Sequence, residues 1–294
     1  MCYQQNGFRK IFAGLQLAAA CSIAIALATA PVARAQCIGA PTGTLVAWYP
    51  FDETASPSID LATGNIVAWS GTLTPVAGEV AGALNFSNGY IDAPDSIITN
   101  FGPAGDAAKC GGGIFSTCQG DFTIDAWVNL TTVPLSGVNV IVDKRNASDI
   151  GYEFYIFGQP QYDNGHPYFG LQLGDAAHGY TNYGSVPLPT LTANSWHHVG
   201  VAVTRLGKGG TNGSMAFYLD GAPVPTSGGL TPAQTGSLVN SAPLSIGAAG
   251  AANGGGSNFN GSLDELQIFN KVLTAVEMKA IFKAGTSGQC KPPL

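Results

Sequence analysis

Short apolar stretches alternate with turn-forming residues along most of the chain. In the stretch 122–129, every second residue from Phe122 to Val128 is apolar, so one face of a strand there would consist of core residues only. Similar stretches lie at 43–49, 82–86, 139–142, 152–157, 168–173, 196–203, 215–219 and 244–246. Short strands at regular intervals predict an all-β fold in which two antiparallel sheets pack as a β-sandwich.

Turn and helix signals complete this pattern. Asn-Gly or Asp-Gly pairs, which favour turns with positive φ, lie at 88–89, 164–165, 212–213, 220–221 and 260–261. One short C-terminal helix is predicted over 275–284, because Thr274 and Glu277 form a capping-box pattern and Gly285 suits the C-terminal cap. Glu277 is therefore interpreted as a capping residue and not as a catalytic acid.

The first 35 residues have the pattern of a secretory signal peptide. Two basic residues precede an apolar stretch over 11–30, and an Ala-x-Ala cleavage site ends at Ala35. The alternative is an uncleaved anchor, since about 20 apolar residues can span a bilayer. We expect 1–35 to be removed and 36–294 to form one exported domain, periplasmic or extracellular, with no membrane anchor.

Composition excludes several classes of protein. Only 10% of the residues are charged, with 12 Lys and Arg against 18 Asp and Glu, so the basic stripe of a nucleic-acid-binding protein is missing. Three of the basic residues lie within 1–35, which leaves nine basic and 18 acidic residues and a net charge near −9 in the exported part. Hydrophobic residues make up 45% of the chain, which argues against disorder.

The exported part contains four cysteines, an even number that suits an oxidising compartment. Four cysteines allow three connectivities. Cys110 and Cys118 enclose a short Gly-rich segment and are natural partners, which pairs Cys37 with Cys290. No Cys-x-x-Cys pair is present, so a zinc site is disfavoured.

The family resemblance rests on motifs in a fixed order. They lie at 45–52 (LVAWYPFD), 60–65 (DxxTGN), 82–86 (GALNF), 90–94 (YIDAP), 122–128 (FTIDAWV), 196–199 (WHHV), 217–221 (FYLDG), 259–270 (FxGxLDELxIFN), 273–277 (LTxxE) and 288–290 (GQC). In this order they resemble the laminin-G-like, concanavalin A-like jelly-roll family of secreted bacterial proteins. The resemblance covers nearly the whole exported part and implies a jelly-roll β-sandwich. For function, it implies only that such domains bind carbohydrates, proteins or calcium.

No catalytic motif is recognisable in the sequence. Glycosidases of this architecture need two or three carboxylates on one face of a strand, whereas neighbours such as Asp264 and Glu265 are expected to point to opposite faces. The chain has no Gly-x-Ser-x-Gly motif, and the adjacent His197 and His198 are not expected to share a metal. We predict that the protein is not an enzyme, with a glycoside hydrolase or polysaccharide lyase as the less favoured alternative.

The resemblance also implies a structural calcium ion. Asp264 lies in the motif that often helps to hold calcium in related jelly rolls. Asp52 and Asp60 are plausible companions, because the first and last strands should be neighbours and calcium prefers several oxygen ligands. The alternative is that Asp264 caps backbone amides and Glu265 forms a salt bridge.

Strands with two aromatic faces indicate a ligand-binding surface. If Phe154 and Phe169 face the core, then Tyr155, Tyr168 and Gln172 lie on the outer surface of a sheet, where they can stack on and hydrogen-bond to sugars. The loop 178–183 adds Tyr180 and Tyr183. The alternative is that all these residues pack beneath long loops.

Together these features predict a secreted, noncatalytic module. Its expected ligand is a carbohydrate or a cell-surface glycoconjugate, with calcium as a structural cofactor. The alternative from another class is an adhesion or structural module that binds an extracellular protein.

Overall fold

The computed structural model describes residues 36–41, 45–96, 99–102, 120–159, 165–206, 212–227, 233–256 and 258–292. Their elements, in chain order, are β1 (Leu45–Tyr49), β2 (Ser58–Ile59), β3 (Ile66–Val67), β4 (Trp69–Ala77), β5 (Gly82–Ala93), β6 (Phe122–Leu130), β7 (Gly137–Arg145), β8 (Gly151–Gly158), β9 (Tyr168–Asp175), β10 (Gly179–Gly184), β11 (Trp196–Leu206), β12 (Asn212–Leu219), β13 (Ala222–Val224), β14 (Leu244–Ile246), β15 (Gly261–Phe269) and the helix α1 (Ala275–Ala284). These elements belong to one compact unit, Ala35–Leu294.

Thirteen of these strands form a large antiparallel sheet. Its path runs β10-β9-β8-β7-β14-β5-β15-β6-β11-β12-β13, with β1 beside β15 and β4 beside β5. The register between β5 and β15 comprises two residue pairs, Asn85 with Ser262 and Leu84 with Leu263. This short joint divides the curled sheet into a front half, β10 to β5 with β4, and a back half, β15 to β13 with β1.

Large apolar side chains fill the space between the two halves. The rings of Phe154 and Phe169 in the front half lie 6.5 and 6.0 Å from the ring of Phe217 in the back half. Phe122 of the back half packs 5.3 Å from Tyr152 of the front half. Each of these side chains is fully buried, and burying one such side chain contributes about 1.5–3 kcal/mol. The predicted jelly-roll sandwich is thereby confirmed.

The predicted C-terminal helix is confirmed as α1. The Thr274 hydroxyl accepts a hydrogen bond from the Glu277 amide, and the Glu277 carboxylate accepts one from the Thr274 amide. Met278 and Ile281 pack beside Tyr218 on the outer surface of the back half. The helix therefore covers part of the back half.

A disulfide joins Cys37 to Cys290, which are 253 residues apart. This is the pairing expected from the cysteine spacing. The flanking residues Ile38 and Gln289 form a parallel β-bridge, so the two ends of the domain are held side by side.

Two further expectations lie outside the described residues, namely the Cys110–Cys118 pair and the signal peptide at 1–35. The described part of the chain contains no helix with the length and hydropathy that a bilayer crossing requires.

Candidate functional site

The outer surface of the front half, here called the front face, carries the side chains that alternate with core residues on β7 to β10. Asp143 lies opposite Glu153, and Glu153 lies opposite Gln172 on the next strand. Further along the same strands, Phe157 lies opposite Tyr168. Because side chains alternate between the two surfaces of a sheet, these positions form a charged cluster beside an aromatic cluster.

The aromatic cluster comprises Tyr155, Phe157 and Tyr168. The Phe157 ring lies 5.1 Å from the Tyr168 ring and 6.3 Å from the Tyr155 ring. Gly170 lets the Tyr155 ring lie against strand β9, because a Cβ atom at position 170 would meet that ring at 2.0 Å. The Tyr155 hydroxyl reaches toward Asn182, with 3.5 Å between the two oxygen atoms.

The remaining two predicted tyrosines lie on opposite sides of the edge strand β10. Tyr180, opposite Gly174 on β9, is 55% exposed on the front face. Tyr183 is 3% exposed in the core and donates a hydrogen bond to Gln234. Position 183 has the opposite parity to position 180 in a strand. This corrects the expectation that both tyrosines line one ligand surface.

Arg145 organises the charged cluster, which comprises Asp143, Arg145, Asp149, Glu153 and Gln172. Its Nε atom lies 2.7 Å from Asp143 Oδ1, and its Nη2 atom lies 2.7 Å from Glu153 Oε1. Its Nη1 atom donates to Gln172 Oε1 at 2.6 Å. Gln172 Nε2 in turn donates to Asp149 Oδ1 at 3.1 Å. Gln172, which the sequence predicts to contact ligand, thus uses both ends of its amide within the protein.

Burial sets the electrostatics of this cluster. It raises the pKa of Glu153 to about 7, a shift that Arg145 opposes and that Asp143 and Asp149 reinforce. Burial lowers the pKa of Arg145, but the neighbouring carboxylates outweigh this effect and leave that pKa above its ordinary value. At neutral pH, Glu153 can therefore either donate or accept a hydrogen bond.

The pairing of Asp143 with Glu153 is not apparent from carboxylates along one strand, because these two residues belong to adjacent strands, ten positions apart in the chain. The available signal was the run of three charged residues at 143–145, next to a turn and inside otherwise apolar stretches.

A second acidic cluster lies where β1 ends beside the middle of β15. The Asp264 Oδ2 atom accepts a hydrogen bond from the Val80 amide at 2.8 Å, while its Oδ1 atom is buried without a hydrogen-bond partner. Burial raises the pKa of Asp264 to about 9, with Glu265 and Asp52 adding to the rise. Lys291 forms ion pairs with both Asp52 and Glu265.

Strict alternation would place Asp264 and Glu265 on opposite faces of β15, but a bulge interrupts the alternation there. The register with β6 shifts between Asp264 and Gln267, and Glu265 has a φ of +51°. A bulge of this kind re-aims the side chains that follow it. Asp264 and Glu265 are both buried as a result.

The structure gives the three predicted calcium ligands different roles. Asp60 accepts hydrogen bonds from the Trp48 and Ala62 amides and from the Thr63 hydroxyl, at 2.6 to 3.0 Å. Asp52 accepts from the Gly82 amide and pairs with Lys291. Asp264 alone keeps an unpartnered buried oxygen. Among the described residues, no three His, Cys, Asp or Glu side chains cluster in a way that could hold a metal ion.

The adjacent histidines have separate partners. His198 is buried and lies 3.0 Å from Asp125 Oδ2, whereas the Nδ1 atom of His197 lies 3.0 Å from Asp220 Oδ2. Each imidazole therefore belongs to its own hydrogen-bonded pair.

A protein-family model, Laminin_G_3, matches residues 103–279 and is described as the Concanavalin A-like lectin/glucanases superfamily. None of the curated proteins searched matches the chain.

Several solved structures share the fold. Domain 4 of AbnA, a GH43 extracellular arabinanase from Geobacillus stearothermophilus solved with arabinotriose, is 16% identical with a TM-score of 0.53, over 80% of this chain and 97% of that one. A botulinum neurotoxin type C structure, whose description reports that cell entry depends on two ganglioside molecules, is 11% identical with a TM-score of 0.55, over 82% and 51%. The binding domain of botulinum neurotoxin DC in complex with rat synaptotagmin II is 12% identical with a TM-score of 0.54, over 82% and 51%. The match thus spans about half of each neurotoxin chain, and at these identities it establishes the fold.

Proposed function

The chain belongs to the Concanavalin A-like lectin/glucanases superfamily, and on this premise we propose that it is a noncatalytic module that binds a carbohydrate or a cell-surface glycoconjugate. The observation that carries the proposal is the aromatic cluster of Tyr155, Phe157 and Tyr168 on one outer face, beside polar side chains held in fixed positions, with Tyr180 exposed further along the same face. We further propose that the protein acts outside the cytoplasm, where the Cys37–Cys290 disulfide is stable.

The chemistry of this face suits a sugar. Tyrosine presents an apolar ring and a polar hydroxyl, so it can pack on the C–H surface of a pyranose while its edge forms hydrogen bonds. Asn182 lies beside the Tyr155 ring and is exposed, so its amide group can hydrogen-bond to sugar hydroxyls. A mostly apolar surface with a few placed polar groups is typical of small-molecule sites.

The charged cluster supports a binding role rather than hydrolysis. A glycosidase needs one carboxylic acid and one free carboxylate about 5–10 Å apart. Asp143 instead accepts hydrogen bonds from the Arg145 side chain, the Gly250 amide and the Asn253 amide group. Since both of its oxygens are occupied and Arg145 also holds Glu153, we assign the cluster to positioning.

The structural neighbours support two kinds of ligand. The arabinanase domain was solved with arabinotriose, and the neurotoxin C description names gangliosides, which favours a glycan for this chain. The complex of a similar binding domain with rat synaptotagmin II favours a protein partner as the second candidate. A glycan array and a protein pull-down with the purified protein separate these two candidates.

Replacing Tyr168 by alanine should lower the affinity for the oligosaccharide identified on the array by about 30-fold. This corresponds to the roughly 2 kcal/mol typical of a hot-spot side chain. The matched control is Tyr168→Phe, which keeps the ring and should keep most of the affinity. Isothermal titration calorimetry measures both variants. An array without any binding, or a Tyr168→Ala variant that binds as tightly as the wild type, would contradict the assignment of the ligand to the front face.

We also propose that calcium supports the fold at Asp264 and takes no part in ligand contact. The support is the buried, unpartnered Oδ1 atom, since calcium takes carboxylate and carbonyl oxygens as ligands. A backbone oxygen also lies near this carboxylate, since the Gly82 carbonyl oxygen and Asp264 Oδ2 lie 2.2 and 2.6 Å from the position that a Cβ of Gly78 would occupy. Bound there, the ion would compensate the charge of a carboxylate that is otherwise costly to bury.

Calcium should therefore raise the melting temperature of the wild type by roughly 5–10 °C over that in EDTA. This is the shift expected from a ligand at about 100 times its Kd acting on a domain of this size. Asp264→Asn should abolish the shift, and Asp60→Asn, which leaves the Asp264 oxygen in place, should retain it. Differential scanning calorimetry is the measurement. Equal melting temperatures of the wild type with calcium and with EDTA would instead identify Asp264 as a buried neutral acid.

A further inference from the structure

A groove of about 670 Å³ lies between α1 and the turn that joins β12 to β13. Its turn side is formed by Gly221, Ala222 and Pro223, and its helix side includes Val276 and Ala280. Val276 is 79% exposed, more than any other large apolar side chain in the described part of the protein. The groove lies on the back half, away from the front face, and the proposed carbohydrate site does not use it.

The rim of this groove carries two free positive charges. Lys279 and Lys283 line it, one helical turn apart. The other lysines of the described ranges form ion pairs: Lys144 with Asp95, Lys271 with Glu277, and Lys291 with Asp52 and Glu265. Lys279 and Lys283 are thus the two described lysines without a carboxylate partner, in a chain with 18 Asp and Glu against 12 Lys and Arg.

The acids near the groove do not neutralise these lysines. Asp220 also lines the groove, but its carboxylate contacts the His197 ring and the His198 amide, each at 3.0 Å. Glu277 on α1 pairs with Lys271 and caps the helix. The helix C-terminus accounts for a cation at Lys283, but it does not account for Lys279.

We propose that this groove binds an acidic peptide segment in extended conformation, with the pattern acidic–apolar–acidic. Lys279 and Lys283 are about 6 Å apart along the helix axis, and side chains two positions apart in an extended chain are about 6.6 Å apart. Two carboxylates of the peptide can therefore reach the two lysines together, while the apolar side chain between them turns toward Pro223.

The geometry favours a peptide over the other acidic ligands. The groove lies between the helix and the β12–β13 turn, so its apolar wall is concave, and Met278 and Ile281 hold the opposite side of α1 against the protein. A concave wall can enclose a side chain but cannot lie flat on a bilayer. Its apolar members, Val276, Ala280 and Pro223, offer no side-chain donors or acceptors for the hydroxyls of a sugar.

The test uses a fluorescein-labelled peptide of alternating glutamate and leucine, seven residues long, with binding to the full protein followed by fluorescence anisotropy. We expect micromolar binding that weakens when NaCl is raised from 20 to 300 mM. Lys279→Gln combined with Lys283→Gln should raise the Kd about tenfold, as expected from the loss of two exposed ion pairs. The matched control is Ile66→Glu with Leu135→Glu, which changes the net charge equally at exposed positions outside the groove and should leave the Kd unchanged.

Two results would overturn the proposal, namely absence of peptide binding and an equal loss of affinity in the control variant. If the peptide does not bind, binding of the wild type to phosphatidylglycerol vesicles that depends on the two lysines would identify a membrane surface as the ligand instead. Peptide binding in the groove and carbohydrate binding at the front face can be contradicted separately, because Tyr168→Ala should leave peptide binding intact.

Discussion

Replacing Cys37 and Cys290 together by serine should lower the free energy of unfolding by about 5 kcal/mol. The bond closes a loop of 253 residues, and the loss of chain entropy in the unfolded state grows with the logarithm of loop length. Guanidinium denaturation at neutral pH measures the change. Each single variant should lose a similar amount, because either substitution removes the same bond.

Removing the bond also frees the segment that positions Lys291 beside Asp52 and Glu265. Burial raises the pKa of Glu265, and Lys291 opposes that rise, so loss of the lysine leaves an acid that is costly to ionise. Lys291→Gln, with the disulfide intact, is the control that separates this electrostatic contribution from the chain-entropy contribution. A double cysteine variant no less stable than Lys291→Gln would show that loop closure contributes nothing.

Replacing Arg145 by alanine should cost about 3–5 kcal/mol of stability and abolish carbohydrate binding at the front face. The substitution leaves Asp143 and Glu153 buried without their shared cation, and breaking a buried ion pair on one side typically costs this amount. It also removes the donor that holds the Gln172 amide. Urea denaturation measures the stability, and calorimetric titration measures the binding.

The loss of stability in Arg145→Ala should depend on pH. In the wild type, the pKa of Glu153 is about 7, above its value in an unfolded chain. A group with a raised folded-state pKa contributes stability at low pH, and this contribution is lost as the pH rises through that pKa. Without Arg145 the pKa rises further, so stability continues to fall above pH 7, and the deficit of the variant should be larger at pH 9 than at pH 6. Arg145→Lys, which keeps the charge but not the planar fork, should show a smaller deficit. A deficit of Arg145→Ala that is equal at both pH values would mean that Glu153 does not depend on Arg145.

Features with a local cause could be predicted from the sequence. In strand β6, every second residue from Phe122 is apolar, which predicts the strand. Helix α1 begins at a capping box, which the spacing of Thr274 and Glu277 predicts. Parity alone is sufficient to place Tyr155 and Tyr168 on the surface opposite to the core residues Phe154 and Phe169, because strands β8 and β9 alternate without interruption.

Features that depend on register could not be predicted in the same way. The sequence pattern predicts a loop at Tyr183, whereas the residue lies in strand β10, where its parity puts it on the opposite face from Tyr180. The pairing of Asp143 with Glu153 follows from a hairpin register that shifts between Val140 and Val142, and no local pattern shows such a shift. The different roles of Asp60 and Asp264 arise from contacts with residues distant in the chain. The periodicity of apolar residues cannot predict such contacts.

The disulfide that closes the domain also determines how the protein responds to force. The Cα atoms of Cys37 and Cys290 are 4.9 Å apart, so tension applied to the chain outside the two cysteines passes directly across the sulfur–sulfur bond. The sheet between them carries none of that load. While the bond is intact, pulling on the chain ends cannot peel β1 from β15, and in this protein mechanical strength is a property of one covalent bond that a reductant can remove.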